Sequence, residues 1–256
     1  MRNYDAGIGA TLTLENNGER TTANVYSREG LELLSNLWLK SAAQHRLMYE
    51  PTWLGRPIIQ FPTDIVMIQE LLWKIQPDVV VETGVAHGGS LILSASILEL
   101  IGKGKIVGID IEIRPYNRAA IEAHSLSHRI ELIEGSSIAS ETLYAVKKVI
   151  GSAKSVLVFL DSNHTESHVL QELELYAPLV TPGSYIVAHD GAQAWVWDIP
   201  NGKPEWKEDH PLNAIHNFLG SHPEFAIDPH WTRLGITSSP DGFLKRSTEP
   251  LPRVCL

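Results

Sequence analysis

The sequence predicts an α/β protein built on a parallel sheet. Three observations carry that prediction. From residue 78 onward, short apolar runs alternate with stretches of helical length. The runs are continuously apolar, as strands covered on both faces are. Each run closes on a polar, mostly acidic residue. Strand–helix alternation of this kind needs right-handed crossovers and a parallel sheet.

The elements follow in order. Residues 11–26, TLTLENNGERTTANVY, alternate Thr and Leu and turn at Asn16-Asn17-Gly18, where positive φ is accessible, which predicts a hairpin. Ser27 can cap a helix over 28–48, with Leu31, Leu34, Trp38 and Ala42 on one face. EPTWLGRPIIQFP (50–62) is a Pro/Gly-rich connection. Thr63 or Asp64 then caps a helix carrying Ile65, Ile68, Leu72 and Ile75, and Pro77 stops it. The predicted strands are VVVE (79–82), KIVGID (105–110), RIELIEG (129–135), SVLVFLD (155–161) and SYIVAHD (184–190). Helices at 89–101, 115–126, 138–150 and 165–177 separate them. A long polar loop bearing Trp195, Trp197 and Trp206 comes next, in the manner of a lid or binding loop. A helix at 211–220, a strand near 225–228 and a hairpin over 233–246, turned at Ser239-Pro240-Asp241-Gly242, complete the chain. The organisation expected is an N-terminal extension, 1–62, that makes oligomer or lid contacts, followed by the main domain, 63–256.

Composition narrows the function. A chain of 256 residues can bury about three quarters of its unfolded surface without disulfide or metal staples. Lys+Arg 21 against Asp+Glu 30 gives a net charge of −9, the wrong sign for nucleic acid or an anionic membrane surface. The single cysteine, Cys255, allows no intrachain disulfide, and a reducing cytoplasm is expected. The opening MRNYDAGIGATLTLENN lacks the basic start and apolar run of a secretory leader.

In an open parallel sheet, ligands bind beyond the carboxyl ends of the strands. Here those ends read Glu82-Thr83-Gly84-Val85-Ala86-His87-Gly88-Gly89-Ser90, Asp110, Glu134-Gly135-Ser136-Ser137, Asp161-Ser162-Asn163-His164 and His189-Asp190. Gly84 and Gly88 let the backbone approach a ligand at a helix N-terminus. The spacing is not GxGxxG, which argues against a nicotinamide dinucleotide, and the acid beside the glycines suits a cationic ligand. Asp110 stands where a carboxylate can accept from ribose hydroxyls. Acids gathered on one rim are costly unless cations share the site.

ETGVAHGGS, GIDIEIRPYNR, HRIELIEGSS, FLDSNHTESHVLQELELYAPLVTPGSYIV and PDGFLKR resemble the cephalosporin hydroxylase family over about residues 50–246. Despite its name, that family consists of S-adenosylmethionine-dependent methyltransferases. The resemblance implies the Rossmann-like class I methyltransferase fold: seven strands, mostly parallel, the last antiparallel. It implies small-molecule O-methylation of a natural product or sugar, commonly with Mg²⁺ and in a homo-oligomer. It places the cofactor against Glu82, Gly84, Gly88, Ser90, Asp110, Ser136, Ser137 and Asp161. Asp161 and Asp190 match its metal-binding acids. The residue before the second acid is commonly Glu there and is His189 here; His87 stands where Arg is frequent. With Asp161, His189 and Asp190 as ligands, the imidazole would favour Mn²⁺, Fe²⁺ or Zn²⁺ over Mg²⁺.

Methyl transfer needs an aligned acceptor and removal of its proton. His164 is the first candidate base and His189 the second; His168 reads as a supporting residue. An alternative within the same fold is an S-adenosylmethionine-binding enzyme of secondary metabolism that transfers no methyl group. A catalytically inert binding module is a further reading.

Overall fold

The structure is a computed structural model that describes residues 9–16 and 18–248. Cys255 and one turn residue of the predicted hairpin, Asn17, lie outside the described residues.

An N-terminal hairpin joins β1 (Thr11–Asn16) to β2 (Glu19–Asn24), followed by α1 (Arg28–Gln44). Ser27 caps α1 as expected: its hydroxyl accepts from the Gly30 N–H. A two-residue ribbon, β3 (Thr52–Trp53) with β4 (Arg56–Pro57), leads to α2 (Pro62–Ile75). The alternation then runs β5 (Val79–Thr83), α3 (Gly89–Ile101), β6 (Lys105–Asp110), α4 (Pro115–Glu122), β7 (Ile130–Glu134), α5 (Ser140–Ile150), β8 (Val156–Leu160), α6 (Glu166–Tyr176) and β9 (Tyr185–Ala188). The chain closes with α7 (Gln193–Val196), α8 (Pro211–Ser221), β10 (Phe225–Ile227) and β11 (Phe243–Arg246).

Seven strands form one sheet in the order β10-β11-β9-β8-β5-β6-β7. The pairs among β5 to β9 are parallel, and β11 runs antiparallel to both β9 and β10. This is the fold expected, the class I methyltransferase sheet. The central strands β5 and β8 are buried throughout, as their apolar runs require. Alternation divides their side chains. Val80, Leu157, Phe159, Tyr185 and Val187 face one core with α2 and α3. Val79, Val81, Val158, Leu160 and Ile186 face the other, with α6 and α8.

Three local expectations are corrected. The 233–246 hairpin does not form: β11 is its only strand, and its partners are β9 and β10. Helix α2 begins at Pro62, a residue whose missing N–H suits a first turn, while Asp64 is buried and accepts from the Ser238 backbone N–H and hydroxyl. Of the predicted core face of α1, Ala42 is buried, but Leu31 is 58% exposed and Trp38 40%. Leu39, outside that face, is buried with Ala42 against Phe61, Ala192 and Val196. Helix α1 packs on the segment after β9, and polar contacts fix that docking. Lys40 Nζ lies 2.6 Å from Asp198, and Asn201 bonds twice to Gln44 at 2.9 Å. Among the described residues, no helix is long and apolar enough to cross a membrane.

Candidate active site

The turn after β5 is shaped by its backbone. Gly84 (φ +91°), Ala86 (φ +44°) and Gly88 (φ +81°) all take positive φ. A Cβ on Gly84 would overlap the Asp161 carbonyl, so only glycine lets the β5 and β8 ends close on each other. Gly88 presses on the Ile121 side chain, and Ile92 begins the α3 ladder by donating to the Gly88 carbonyl. The turn is also held from outside. Asp110 Oδ2 accepts from the Val85 N–H (2.9 Å) and the Ala86 N–H (3.2 Å). Asn117 donates to the Ala86 carbonyl at 2.7 Å, and Arg56 donates to the His87 carbonyl and to Asn117. Arg56 and Asn117 were invisible to sequence reasoning: neither sits at a strand end, and only the ribbon and α4 bring them to the loop.

Of the strand-end acids, Asp161 and Asp190 come together, with His164. Ligand atoms of Asp161, His164 and Asp190 lie within 4.8 Å of one another. His164 Nε2 is 3.3 Å from Asp190 Oδ2. Burial, then the charges of Asp190 and Glu82, push the Asp161 carboxyl well above the usual carboxylate range. Asp190 takes the left-handed conformation, φ +60°, which turns the chain sharply off β9. Two carboxylates and an imidazole converging in this way fit a divalent cation, and the electrostatic cost at Asp161 is one that a cation would offset.

His189 is not part of this group. It is 4% exposed, shares a hydrogen bond through Nδ1 with the Ser239 hydroxyl at 3.0 Å, and packs tilted against Phe159. Burial lowers its pKa to about 4, so the ring is neutral. The expectation that His189 supplies the imidazole gives way to His164, and a buried neutral ring off the main cavity is a poor candidate base.

The remaining residues are placed as follows. Glu82 is 3% exposed and accepts from the Ser90 hydroxyl; burial pushes its pKa up to about 7. Ser137 Oγ lies 3.1 Å from His168 Nε2, and Ser162 bonds to His168 and to the fully buried Glu172. His168 thus supports the loops after β7 and β8, the role read for it. Ser136, Ser137 and Asp110 do not line the main cavity.

That cavity has a volume of about 620 Å³. Its floor is Gly84 to His87, Gly89 and Ser90, with Asp161, His164 and Asp190. Its walls come from α1 and the connection after it, and from the segment after β9, including Leu39, Met48, Val196 and Trp206. Of the three loop tryptophans, only Trp206 faces it. Gln60 and Gln193 also line it, each with a buried amide oxygen that has no hydrogen-bond partner. Such oxygens wait for a donor.

The sequence profile of the family described as rhamnosyl O-methyltransferase/CmcI matches residues 45–247. A rhamnosyl O-methyltransferase of Mycobacterium leprae is 30% identical over 201 residues, covering 76% of this chain and 82% of the relative. Its counterpart in Mycobacterium tuberculosis strain H37Rv is 28% identical, covering 77% and 78%. Among solved structures, one of CmcI with Mg and SAM aligns with a TM-score of 0.57 at 18% identity, covering 78% of each chain.

Proposed function

The chain belongs to the rhamnosyl O-methyltransferase/CmcI family and is an S-adenosylmethionine-dependent O-methyltransferase, and we propose that its acceptor is a hydroxyl of a sugar or another small natural product. The observation that carries the acceptor reading is the Asp161–His164–Asp190 group on the floor of a 620 Å³ cavity, beside the Gly84–Gly88 turn. The non-methylating alternative has no support among the relatives, which are named as methyltransferases.

The sulfonium of the cofactor supplies an activated methyl carbon, so the protein's work is alignment and proton removal. The positive-φ turn offers backbone N–H groups at the start of α3. Glu82 and Ser90 lie behind it for the cofactor's ammonium. Asp110 braces the turn through Oδ2 and, beside the Glu112 N–H that Oδ1 already accepts, would take the ribose, and Ser136 and Ser137 would border the adenine. Asp161, His164 and Asp190 would hold Mg²⁺ or Mn²⁺, and such an ion would supply Lewis-acid lowering of the acceptor hydroxyl's pKa. We assign His164 to that ion, because its Nε2 already points at Asp190. The walls from α1 and the post-β9 segment exclude water from the transfer.

The division into an extension, 1–62, and a cofactor-binding domain, 63–256, belongs to the same proposal. So does homo-oligomerisation: Leu31, Leu34 and Trp38 form an exposed apolar stripe on α1 that a second copy would cover, which light scattering reads directly. Cysteine usage supports a cytoplasmic location.

The test is incubation with methyl-labelled S-adenosylmethionine, Mn²⁺ and a panel of rhamnosides, other glycosides and catechols. Label is expected on an acceptor oxygen. Cofactor binding with no transfer to any oxygen acceptor would overturn the acceptor reading.

A further inference from the structure

Resting on the methyltransferase reading, we propose that the acceptor carries an anionic group, a carboxylate or a phosphate, recognised by Arg46 and Lys203 at the cavity mouth. Both residues line the cavity, one from the end of α1 and the other from the segment after β9. Each belongs to one of the two segments that make its walls.

The protein carries a net charge of −9, and among the described residues Arg46 and Lys203, both in the cavity lining, have no ion-pair partner. Lys40 and Lys207, their neighbours on the same elements, are paired with Asp198 and Glu208. Lys203 Nζ instead lies 5.5 Å from the Trp206 ring centroid, and Trp206 itself lines the cavity. That contact is not an ion pair, so the ammonium keeps N–H donors for an anion.

Arg46 adds a second, independent feature. It occupies the left-handed position just past α1, at φ +55°. Glycine fills that position at lowest cost, and a side chain held there against its preference points to a use for it. A guanidinium matches carboxylate and phosphate geometry with two parallel hydrogen bonds. The floor needs cations and the mouth needs an anion. An acceptor that places its reacting hydroxyl at Asp161 and Asp190 and its anionic group at the mouth satisfies both.

The experiment compares a methyl glycoside with its uronate and its phosphate ester, using the full chain. Methyl transfer is followed by mass spectrometry, and binding to protein loaded with S-adenosylhomocysteine by calorimetry. One anion is expected to exceed the neutral glycoside at least tenfold in kcat/KM, or in affinity where turnover is absent. Which anion wins separates carboxylate from phosphate. The double variant Arg46→Gly/Lys203→Gln should bring that ratio close to one while binding S-adenosylhomocysteine with unchanged Kd. Its melting temperature should not fall, since glycine relaxes position 46. Equal behaviour of the three acceptors overturns this proposal alone. A tenfold loss of S-adenosylhomocysteine affinity in the variant also overturns it, by giving the cations to the cofactor's carboxylate. A wild-type protein that binds no S-adenosylhomocysteine overturns the cofactor reading and this proposal with it.

Discussion

At the scale of single residues, Asp190 is where geometry and charge can be separated. Its φ of +60° is one that asparagine also tolerates, so Asp190→Asn removes the charge and keeps the turn. Mn²⁺ affinity should fall at least tenfold by calorimetry and kcat by roughly 100-fold, the scale of losing electrostatic stabilisation in a closed site. The chelator-treated variant should melt no lower than wild type, because the repulsion that raises Asp161 is gone. His164→Asn distinguishes ligand from base: a ligand role weakens Mn²⁺ binding, whereas a base role spares it and erases a limb of the kcat–pH profile. The strand-end acids were legible because position at the carboxyl edge is a matter of register. His189 was legible too, by a signal given too little weight. Tyr185, Val187 and His189 share one face by alternation, and the first two lie in the core. His164 entered as a base because a sequence shows that a histidine is near a carboxylate, not which nitrogen meets which oxygen.

At the scale of elements, the turn after β5 depends on support from neighbours. Arg56 bridges the β3–β4 ribbon to the His87 carbonyl and to Asn117 on α4. Arg56→Ala should therefore loosen the turn without opening the core, weakening S-adenosylhomocysteine binding about tenfold, or roughly 1.4 kcal/mol. An unchanged Kd in that variant would show the turn is self-supporting. Gly84→Ala acts more severely, since the new Cβ meets backbone rather than a yielding side chain. A loss of at least about 2 kcal/mol in urea unfolding is expected from the positive φ and the overlap together. The alternating strands and helices from β5 to β9 could be read because each carries its own period. The outward stripe of α1 could not. Its burial is decided by which segment docks on it: the post-β9 segment covers Leu39 and Ala42 with Ala192 and Val196 and adds Lys40–Asp198 and Gln44–Asn201, none of which the period of α1 alone reveals.

For the whole molecule, the site's acids set a pH dependence opposite to the usual one. Glu82 and Asp64 are buried, and their pKa values rise from 4.5 to about 7 and from 3.8 to about 6. Each binds its proton more tightly folded than unfolded, so the stability it contributes is present at low pH and lost as pH rises through those folded values. His189 works the other way. Its folded pKa, about 4, lies below the ordinary 6.5, so its contribution is complete above 6.5 and lost as the pH falls toward 4. Glu82, Asp64 and Asp161, whose carboxyl is also raised by burial, act together against the one imidazole. Stability and Tm should therefore both be lower at pH 8 than at pH 5. Glu82→Gln should flatten the slope, because it removes one of the three carboxyls that bind a proton more tightly folded than unfolded. S-adenosylhomocysteine brings an ammonium and no sulfonium, whereas the methylated cofactor brings both. Stabilisation by S-adenosylmethionine should therefore grow more steeply from pH 5 to 8 than stabilisation by its product. Thermal melts of the chelator-treated protein at the two pH values test the first part. A Tm that climbs toward pH 8 would mean that the buried carboxyls are satisfied without a ligand, and that the cation-seeking character assigned to this site is misplaced.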